Sequence, residues 1–531
     1  MNPAERLLSL ASQPRFDLAV IGGGATGLGV ALDAALRGFS VVLFESHDFA
    51  SGTSSRSTKL LHGGVRYLAQ GNVALVREAL AERATVMHIA PHLAQPLPFV
   101  MPSHAWWQTP FYGIGLKLYD LMAGRAGLGK TDWLNARQTL QALPGLNPDG
   151  LHGGVRYWDG QFDDARLAIA LARSAESAGA HVFNYAEVLG IESQPSGTRL
   201  AVRDRLTGVD HQLTARCVVN ATGVWVDGVR RLAARDETPP ARMVSPSQGV
   251  HLVVDRDFMP GNHALLIPKT RDGRVLFAVP WLGKLILGTT DTPRDDLPRE
   301  PQAFDEELAF IMGEASRVLS RPVRREDVRS VWVGLRPLVA PQGIGDSGTK
   351  SLSREHTIVV DPGGLVTVTG GKWTTYRAMA EDVLERCFAA GLLPQRTSGQ
   401  TATHRLDGSP DTAAGGAPVP LHAAPGPHLF GAHAASIRQR PGAQRDLGMG
   451  LTEAMVRHMV ECEYAHTVED VLARRWRTLF LDAAQAAAMA PAVAAVLQSC
   501  GCDEPGLASF LALSRHYQTP VSYTHLRAHE T

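Results

Sequence analysis

The chain has 531 residues, with 52 basic against 52 acidic side chains and five cysteines. That length exceeds one ordinary core and leads to two or three domains, with room for a bulky cofactor between them. The charge balance excludes a whole-molecule field for nucleic acid or an acidic surface, so any anion site must be local and no nucleic-acid partner is expected. Cys217, Cys387, Cys462, Cys500 and Cys502 are odd in number and lack the paired spacings of a disulfide framework or zinc site, so a reducing cytoplasm and no metal are expected. Residues 1–15 hold no apolar run of signal-peptide length, and no later stretch reaches the roughly 20 apolar residues of a membrane span. A cytoplasmic protein that does not cross a membrane is the expectation.

Residues 16–21 (FDLAVI) read as a short apolar strand running into Gly22, Gly23, Gly24, Ala25, Thr26 and Gly27, with a helical pattern over 28–37. Gly22, Gly24 and Gly27 give the GxGxxG spacing: glycines let the backbone turn sharply and approach a pyrophosphate, which then sits on the N–H groups and positive dipole of the helix N-terminus. A second strand, 40–44, ends in Glu45, where a carboxylate accepts hydrogen bonds from ribose hydroxyls and disfavours a 2′-phosphate. Strand, glycines, helix, second strand and terminal Glu in register predict a bound dinucleotide. Two later segments, 217–223 (CVVNATG) and 365–375 (LVTVTGGKWTT), are again apolar strands ending at glycine; one nicotinamide dinucleotide would not need both, whereas the longer FAD would.

Residues 124–131 (GRAGLGKT) fit the phosphate-loop expression GxxxxGK[ST], the signature of a rival, nucleotide-dependent enzyme. The context is wrong for it, because 111–122 has aromatic residues at helical spacing where a buried strand is needed. The heptapeptide LHGGVRY occurs at 61–67 and again at 151–157, but the flanks differ and no second fingerprint accompanies the repeat, so the second copy is expected to be structural. Asp163, Asp164 and Arg166 after it are expected to open a helix whose acidic start suits the dipole. From 397 to 450 the composition shifts to Ala, Gly, Pro and Ser, read as a linker with little regular structure. Segments 452–464, 468–481 and 483–497 then show helical periodicity, with Thr452 and Thr467 as N-caps. Residues 521–531 fit neither pattern and form a tail of separate status.

With 53–67 (TSSRSTKLLHGGVRY), 161–167 (QFDDARL), 333–338 (VGLRPL) and 370–377 (GGKWTTYR), the chain resembles the FAD-dependent glycerol-3-phosphate dehydrogenase family of the aerobic, quinone-linked type. The resemblance runs from about 17 to 377 and again through 467–480 (TVEDVLARRWRTLF). It implies an α/β fold: a two-dinucleotide-binding (Rossmann-like) FAD domain over 14–395, with FAD-binding parts about 14–95, 155–240 and 330–395 and antiparallel substrate-binding parts about 96–154 and 241–329. A linker at 396–450 and a C-terminal helical domain at 451–520 would follow.

The activity implied is oxidation of sn-glycerol 3-phosphate to dihydroxyacetone phosphate, with hydride transfer to FAD. The electrons would pass to a respiratory quinone, or to oxygen as in oxidases of the same family. By resemblance, phosphate and hydroxyl contacts would come from Arg66, Tyr67, Arg336, Arg354 and Lys372, arginine's fork suiting a phosphate. His62 would be the base, since an imidazole titrates near neutral pH, with Arg336 and Lys372 beside it in catalysis. Expected cofactor contacts are Gly22, Gly24, Gly27 and Glu45 at the adenosine end. Thr53, Ser54, Ser55, Lys59, Leu60 and His62 would contact FAD along the second segment, and Ala221, Gly223, Gly370, Gly371, Lys372 and Thr374 at the two later glycine turns. An oxidase of the same fold acting on an amine or another hydroxy acid would not need Arg336, Arg354 and Lys372 to converge; a flavoprotein sensor would hold FAD without a substrate that bleaches it. Trp106, Trp107, Phe111 and Tyr112, followed by Lys117, Arg125 and Lys130, read either as an interfacial patch for a membrane surface on the cytoplasmic face or as an aromatic cap on the substrate domain. A homodimer is left open. With no EF-hand loop and no transit peptide before the fingerprint, a bacterial enzyme is expected rather than a mitochondrial calcium-regulated form.

Overall fold

The computed structural model describes residues 7, 10, 15–64, 72–234, 240–340, 356–410 and 418–519. β1 (Arg15–Ile21) turns through the glycines into α1 (Ala25–Leu36), which returns the chain to β2 (Val41–Phe44). Later come α2 (Gln108–Ala123), β3 (Gly153–Phe162), α3 (Asp164–Ser177), β4 (His181–Phe183) and β5 (Asp210–Asn220). β6 (Val244–Asp255), β7 (Val328–Val339), β8 (Leu365–Gly370) and α4 (Tyr376–Ala389) follow, then α5 (Glu453–Cys462) and α6 (Ala483–Ser499) in the C-terminal part.

One sheet runs β8–β5–β1–β2–β4, all parallel, with His356–Val360 antiparallel at the β8 edge. Its central strands are buried on both faces, so they read as continuous apolar runs rather than alternating ones. α1 packs between α3 and α4 on one face. A second, ten-stranded sheet is antiparallel except where Ala264–Ile267 lies parallel to Ala94–Ser103. It takes in β3 and β7, so it extends past the 96–154 and 241–329 read as the substrate-binding parts. Strands buried on both faces carry no periodicity that says which sheet they join.

Residues 124–131 connect α2 to the strand Asp132–Asn135, and the Thr131 N–H donates to the Asp120 carboxylate at 2.6 Å. A helix stands where a phosphate loop needs a strand, which overturns the nucleotide-dependent alternative. The second LHGGVRY copy enters β3, where Tyr157 is buried with its ring 5.2 Å from Phe99 and Arg156 pairs with Asp132. It is a strand of the framework. Asp163 caps α3, its carboxylate accepting from the Arg166 N–H at 3.2 Å.

The described part of the proline-rich stretch before α5 has few regular elements, yet it is not a free tether. Leu406, Leu421, Leu429 and Phe430 are buried, and the Leu282 N–H donates to the Leu421 carbonyl at 2.8 Å. Thr452 and Asp482 cap α5 and α6. Trp476, Leu479 and Phe480 bury themselves against the antiparallel sheet, Phe480 lying 5.4 Å from the Trp332 ring. Among the described residues no helix is long and apolar enough to cross a membrane, and no group of three or more His, Cys, Asp or Glu could hold a metal ion.

Candidate active site

A cavity of about 520 Å³ opens at the carboxyl ends of β1, β2, β5 and β8, where ligands of open α/β sheets bind. Gly22 leaves β1 at φ +111°, and a Cβ there would meet the Ala221 carbonyl oxygen at 2.6 Å; a Cβ on Gly24 would meet Ser54 Oγ at 3.0 Å. The Ala25 N–H at the start of α1 donates to Ser54 Oγ at 3.0 Å. At the end of β2, the Glu45 carboxylate accepts from the Gly23 N–H (2.8 Å) and the His47 N–H (2.9 Å), so it is fixed on the cavity wall beside the glycine turn. Glycine backbone without side chains of its own, a helix N-terminus and an anchored carboxylate together fit the pyrophosphate and ribose of FAD.

Thr53, Ser54, Leu60 and His62 line the cavity, as do Ala221 and Gly223 after β5 and Gly370, Gly371, Lys372 and Thr374 after β8. The Thr53 hydroxyl donates to the Leu335 carbonyl of β7 at 2.6 Å, and the Trp373 indole to the Ser54 carbonyl at 2.9 Å, which ties the 53–54 turn to β7 and to the turn after β8. Arg336 faces the same space from β7. Its guanidinium donates to the Thr290 carbonyl at 3.0 Å and lies 3.3 Å from Asp291, so its fork is already oriented.

Three expected cofactor contacts do not reach the cavity wall. Gly27 serves packing: a Cβ there would lie 1.9 Å from the Gly22 carbonyl oxygen. Ser55 is buried with its hydroxyl toward the Gly52 carbonyl. Lys59 is fully buried on the other side of the segment, donating to the Ser55 carbonyl and Asp164, both at 2.7 Å, and burial brings its pKa down to about 7. Arg66, Tyr67 and Arg354 lie outside the described residues.

The sequence reading missed His251. It lies on β6 opposite Trp332 of β7, ring stacked on ring at 4.0 Å, and it lines the cavity with Nε2 3.0 Å from Thr58 Oγ1. Its Nδ1 has no hydrogen-bond partner among the described residues. Burial, with the charges of Lys59 and Arg336 behind it, pulls its pKa well below the usual imidazole range, so it stands neutral. Only its place in a strand running into the glycine at 249 could have hinted at this.

Residues 17–385 match the FAD dependent oxidoreductase family, and residues 428–501 match the C-terminal domain of alpha-glycerophosphate oxidase. The chain belongs to the FAD-dependent oxidoreductase family. Within that family it is similar to the mitochondrial glycerol-3-phosphate dehydrogenase of Macaca fascicularis, 44% identical over 76% of this chain and 58% of that one. It is also similar to the mitochondrial glycerol-3-phosphate dehydrogenase of Arabidopsis thaliana, 39% identical over 93% of this chain and 84% of that one. The chain thus spans little more than half the length of the mammalian relatives. Among solved structures, the glycerol-3-phosphate dehydrogenase of Bacillus halodurans complexed with FAD superposes with a TM-score of 0.76 at 29% identity, over 98% of this chain and 99% of that one. FAD is the cofactor, the two-sheet architecture with a C-terminal helical part is that of the family, and the resemblance read from the sequence holds.

Proposed function

We propose that this FAD-dependent oxidoreductase converts sn-glycerol 3-phosphate to dihydroxyacetone phosphate. The observation that carries the reading is that two cations, Arg336 and Lys372, line the same cavity as the Gly22 and Gly24 cradle and two histidines, His62 and His251. A phosphate ester bears up to two negative charges and leaves water only onto cations, and arginine's fork gives it two parallel hydrogen bonds. In this reading Gly22, Gly24 and Glu45 hold the adenosine end of FAD, while Thr53, Ser54, Leu60, Ala221, Gly223, Gly370, Gly371 and Thr374 line the rest. Arg66, Tyr67 and Arg354 complete the substrate contacts. When bound, FAD supplies the two-electron acceptor for the hydrogen leaving the carbinol carbon. The chain's own work is to hold the phosphate, to take the hydroxyl proton and to exclude water. His62 takes the proton, and His251, held neutral, lines the same cavity.

Mixing FAD-loaded protein anaerobically with glycerol 3-phosphate should bleach the oxidised flavin band. His62→Ala should slow that bleaching by about 10²–10⁴-fold, the usual worth of a general base; an unchanged rate removes His62 from that role. No bleaching by this substrate, in protein that dithionite reduces, would sink the substrate assignment and leave the FAD fold standing.

We further infer that the electrons go to a respiratory quinone at the cytoplasmic face of a membrane. On α2 and just before it, Trp107, Phe111, Ile114, Leu118 and Leu121 recur at steps of four and three, so they form one stripe, and all are exposed, Leu121 by 77%. Trp106 adds to it at 79% exposed, which an aromatic cap packed on its own domain would not be. Lys117 on α2 and Lys130 in the loop that follows it are both exposed, suiting anionic headgroups. Wild-type protein should float with vesicles containing phosphatidylglycerol at low salt, and Phe111→Glu/Leu121→Glu should stay behind while still bleaching normally. Wild type left in the soluble fraction defeats the membrane reading, and a doubled mass in lipid-free solution would give the stripe to a homodimer instead.

A further inference from the structure

In the C-terminal part a short run, Arg474, Arg475, Trp476 and Arg477, reaches the cofactor side of the molecule. All three arginines are buried, although each carries a charge. Burying a guanidinium is costly unless its hydrogen bonds are met, so where these point is informative. Arg475 forks onto both oxygens of Asp48, which is completely buried, and Arg474 pairs with the same carboxylate. The two arginines hold the Asp48 carboxyl well below the usual carboxylate range. Two residues further on, Ala50, Ser51 and Gly52 line the cavity.

Arg477 grips the other end of the same segment. It sits at φ +69°, a left-handed conformation that costs an arginine about 1 kcal/mol or more and persists only where the surroundings fix it. Its guanidinium donates to the Ser55 carbonyl at 2.8 Å and to Asp164 at 3.0 Å. Lys59 donates to the same carbonyl and the same carboxylate. Asp164 accepts as well from the Ser57 N–H at 3.1 Å and hydroxyl at 2.7 Å. Arg477, Lys59 and the Asp164 carboxylate therefore fix the backbone at 55–59 from behind. Its front presents Ser54, Ser57 and Thr58 to the cavity, with Ser54 on the helix N-terminus and Thr58 on His251. Trp281, Trp332 and Phe480 enclose the Lys59 ammonium at 4.6–5.4 Å.

We propose that Arg477, together with Arg474 and Arg475, is a positioning element of the FAD site: the C-terminal part holds residues 48–60 in the conformation that contacts the cofactor. None of the three touches the cavity; they act through Asp48, the Ser55 carbonyl and Asp164. The proposal rests on the FAD fold alone and is independent of the substrate reading.

The test uses full-length holoenzyme. Arg477→Met removes the guanidinium at similar volume, Arg477→Lys keeps a charge on a shorter side chain without the second nitrogen that reaches the Ala473 carbonyl, and Leu497→Ala destabilises the C-terminal part by a cavity in α6, away from the segment. We expect Arg477→Met to raise the FAD dissociation constant by about tenfold or more, the effect of losing a charged hydrogen-bond pair, and to shift the visible flavin band, with Arg477→Lys between it and wild type. Leu497→Ala should lower Tm while leaving the FAD dissociation constant within about twofold of wild type. Wild-type affinity and spectrum in Arg477→Met would overturn the proposal, as would equal weakening in Leu497→Ala at the same loss of Tm. Should Arg477→Met yield no folded protein, Arg477→Lys decides alone: wild-type affinity and spectrum overturn the proposal, and weaker FAD binding with a shifted band supports it.

Discussion

Arg336→Ala should lower kcat/KM for glycerol 3-phosphate by about 10²–10⁴-fold, corresponding to some 3–5 kcal/mol for truncating one partner of a buried, hydrogen-bonded charge pair. The guanidinium is already held in place before any substrate arrives. It stands on β7 opposite Ser247 of β6, half-buried at the cavity wall, with donors on the carbonyls of Gln248 and Thr290 and on Asp291. A side chain so restrained loses little further freedom when an anion binds, so most of its interaction energy reaches the complex. Removing it costs the fold less, because Asp291 retains the Ser247 hydroxyl. Arg336→Lys keeps the charge but not the fork and should lie between the two. A loss confined to KM would place the contact equally in ground and transition states; a fall in kcat would mean it tightens during reaction. The flavin spectrum serves as the control and should be unchanged. A change in kcat/KM of less than about threefold, within what a surface charge does, would remove Arg336 from the phosphate site and with it the main support for a phosphorylated substrate.

Local sequence carried the first half of the site well. The β1–glycine–α1–β2–Glu45 unit is legible because each element is read from contiguous residues with a known backbone requirement, and the later turns at Ala221–Gly223 and Gly370–Lys372 reuse the same logic. The phosphate-loop expression at 124–131 failed on context alone, and α2 in front of it is the physical reason. What stayed hidden were the facings and the long-range pairs. Ser55 and Lys59 lie in the same segment as Thr53 and Ser54, but the 3-10 turn and a positive φ at Lys59 send them to the opposite side. His251 sits in an ordinary strand, and only its register with Trp332 brings it to the cavity. The run of arginines at 474–477 carries no local sign of its partner, Asp48, which lies more than 400 residues earlier in the chain. Charge pairing over such separations leaves no periodic trace.

The glycines offer the sharpest separation between folding and cofactor binding, since two of them in one fingerprint should fail in different ways. Gly27→Ala puts a methyl 1.9 Å from the Gly22 carbonyl oxygen, a backbone atom whose residue is itself fixed by a 2.8 Å hydrogen bond from its N–H to the Phe44 carbonyl. Neither side can yield, so α1 must lift off β1, in the middle of a core where Leu18, Val20, Leu28 and Ala31 interdigitate. Overpacking of that kind should cost about 3 kcal/mol or more and lower the melting temperature of the apoprotein as well as the holoprotein. Gly24→Ala meets only Ser54 Oγ at 3.0 Å, the end of a side chain that can rotate away, and its backbone is extended at φ −88°. The apoprotein should therefore fold and melt within about 1 kcal/mol of wild type. The new methyl would nonetheless stand on the cavity wall at the start of α1, where the pyrophosphate must approach backbone N–H groups, and FAD affinity should fall by at least about tenfold. Thermal melts of both apoproteins with FAD titrations alongside decide the matter. Wild-type FAD affinity in Gly24→Ala would mean the cofactor does not lie on this turn, while an unshifted apoprotein melt in Gly27→Ala would mean that helix and strand are not held at the distance that excludes a methyl group.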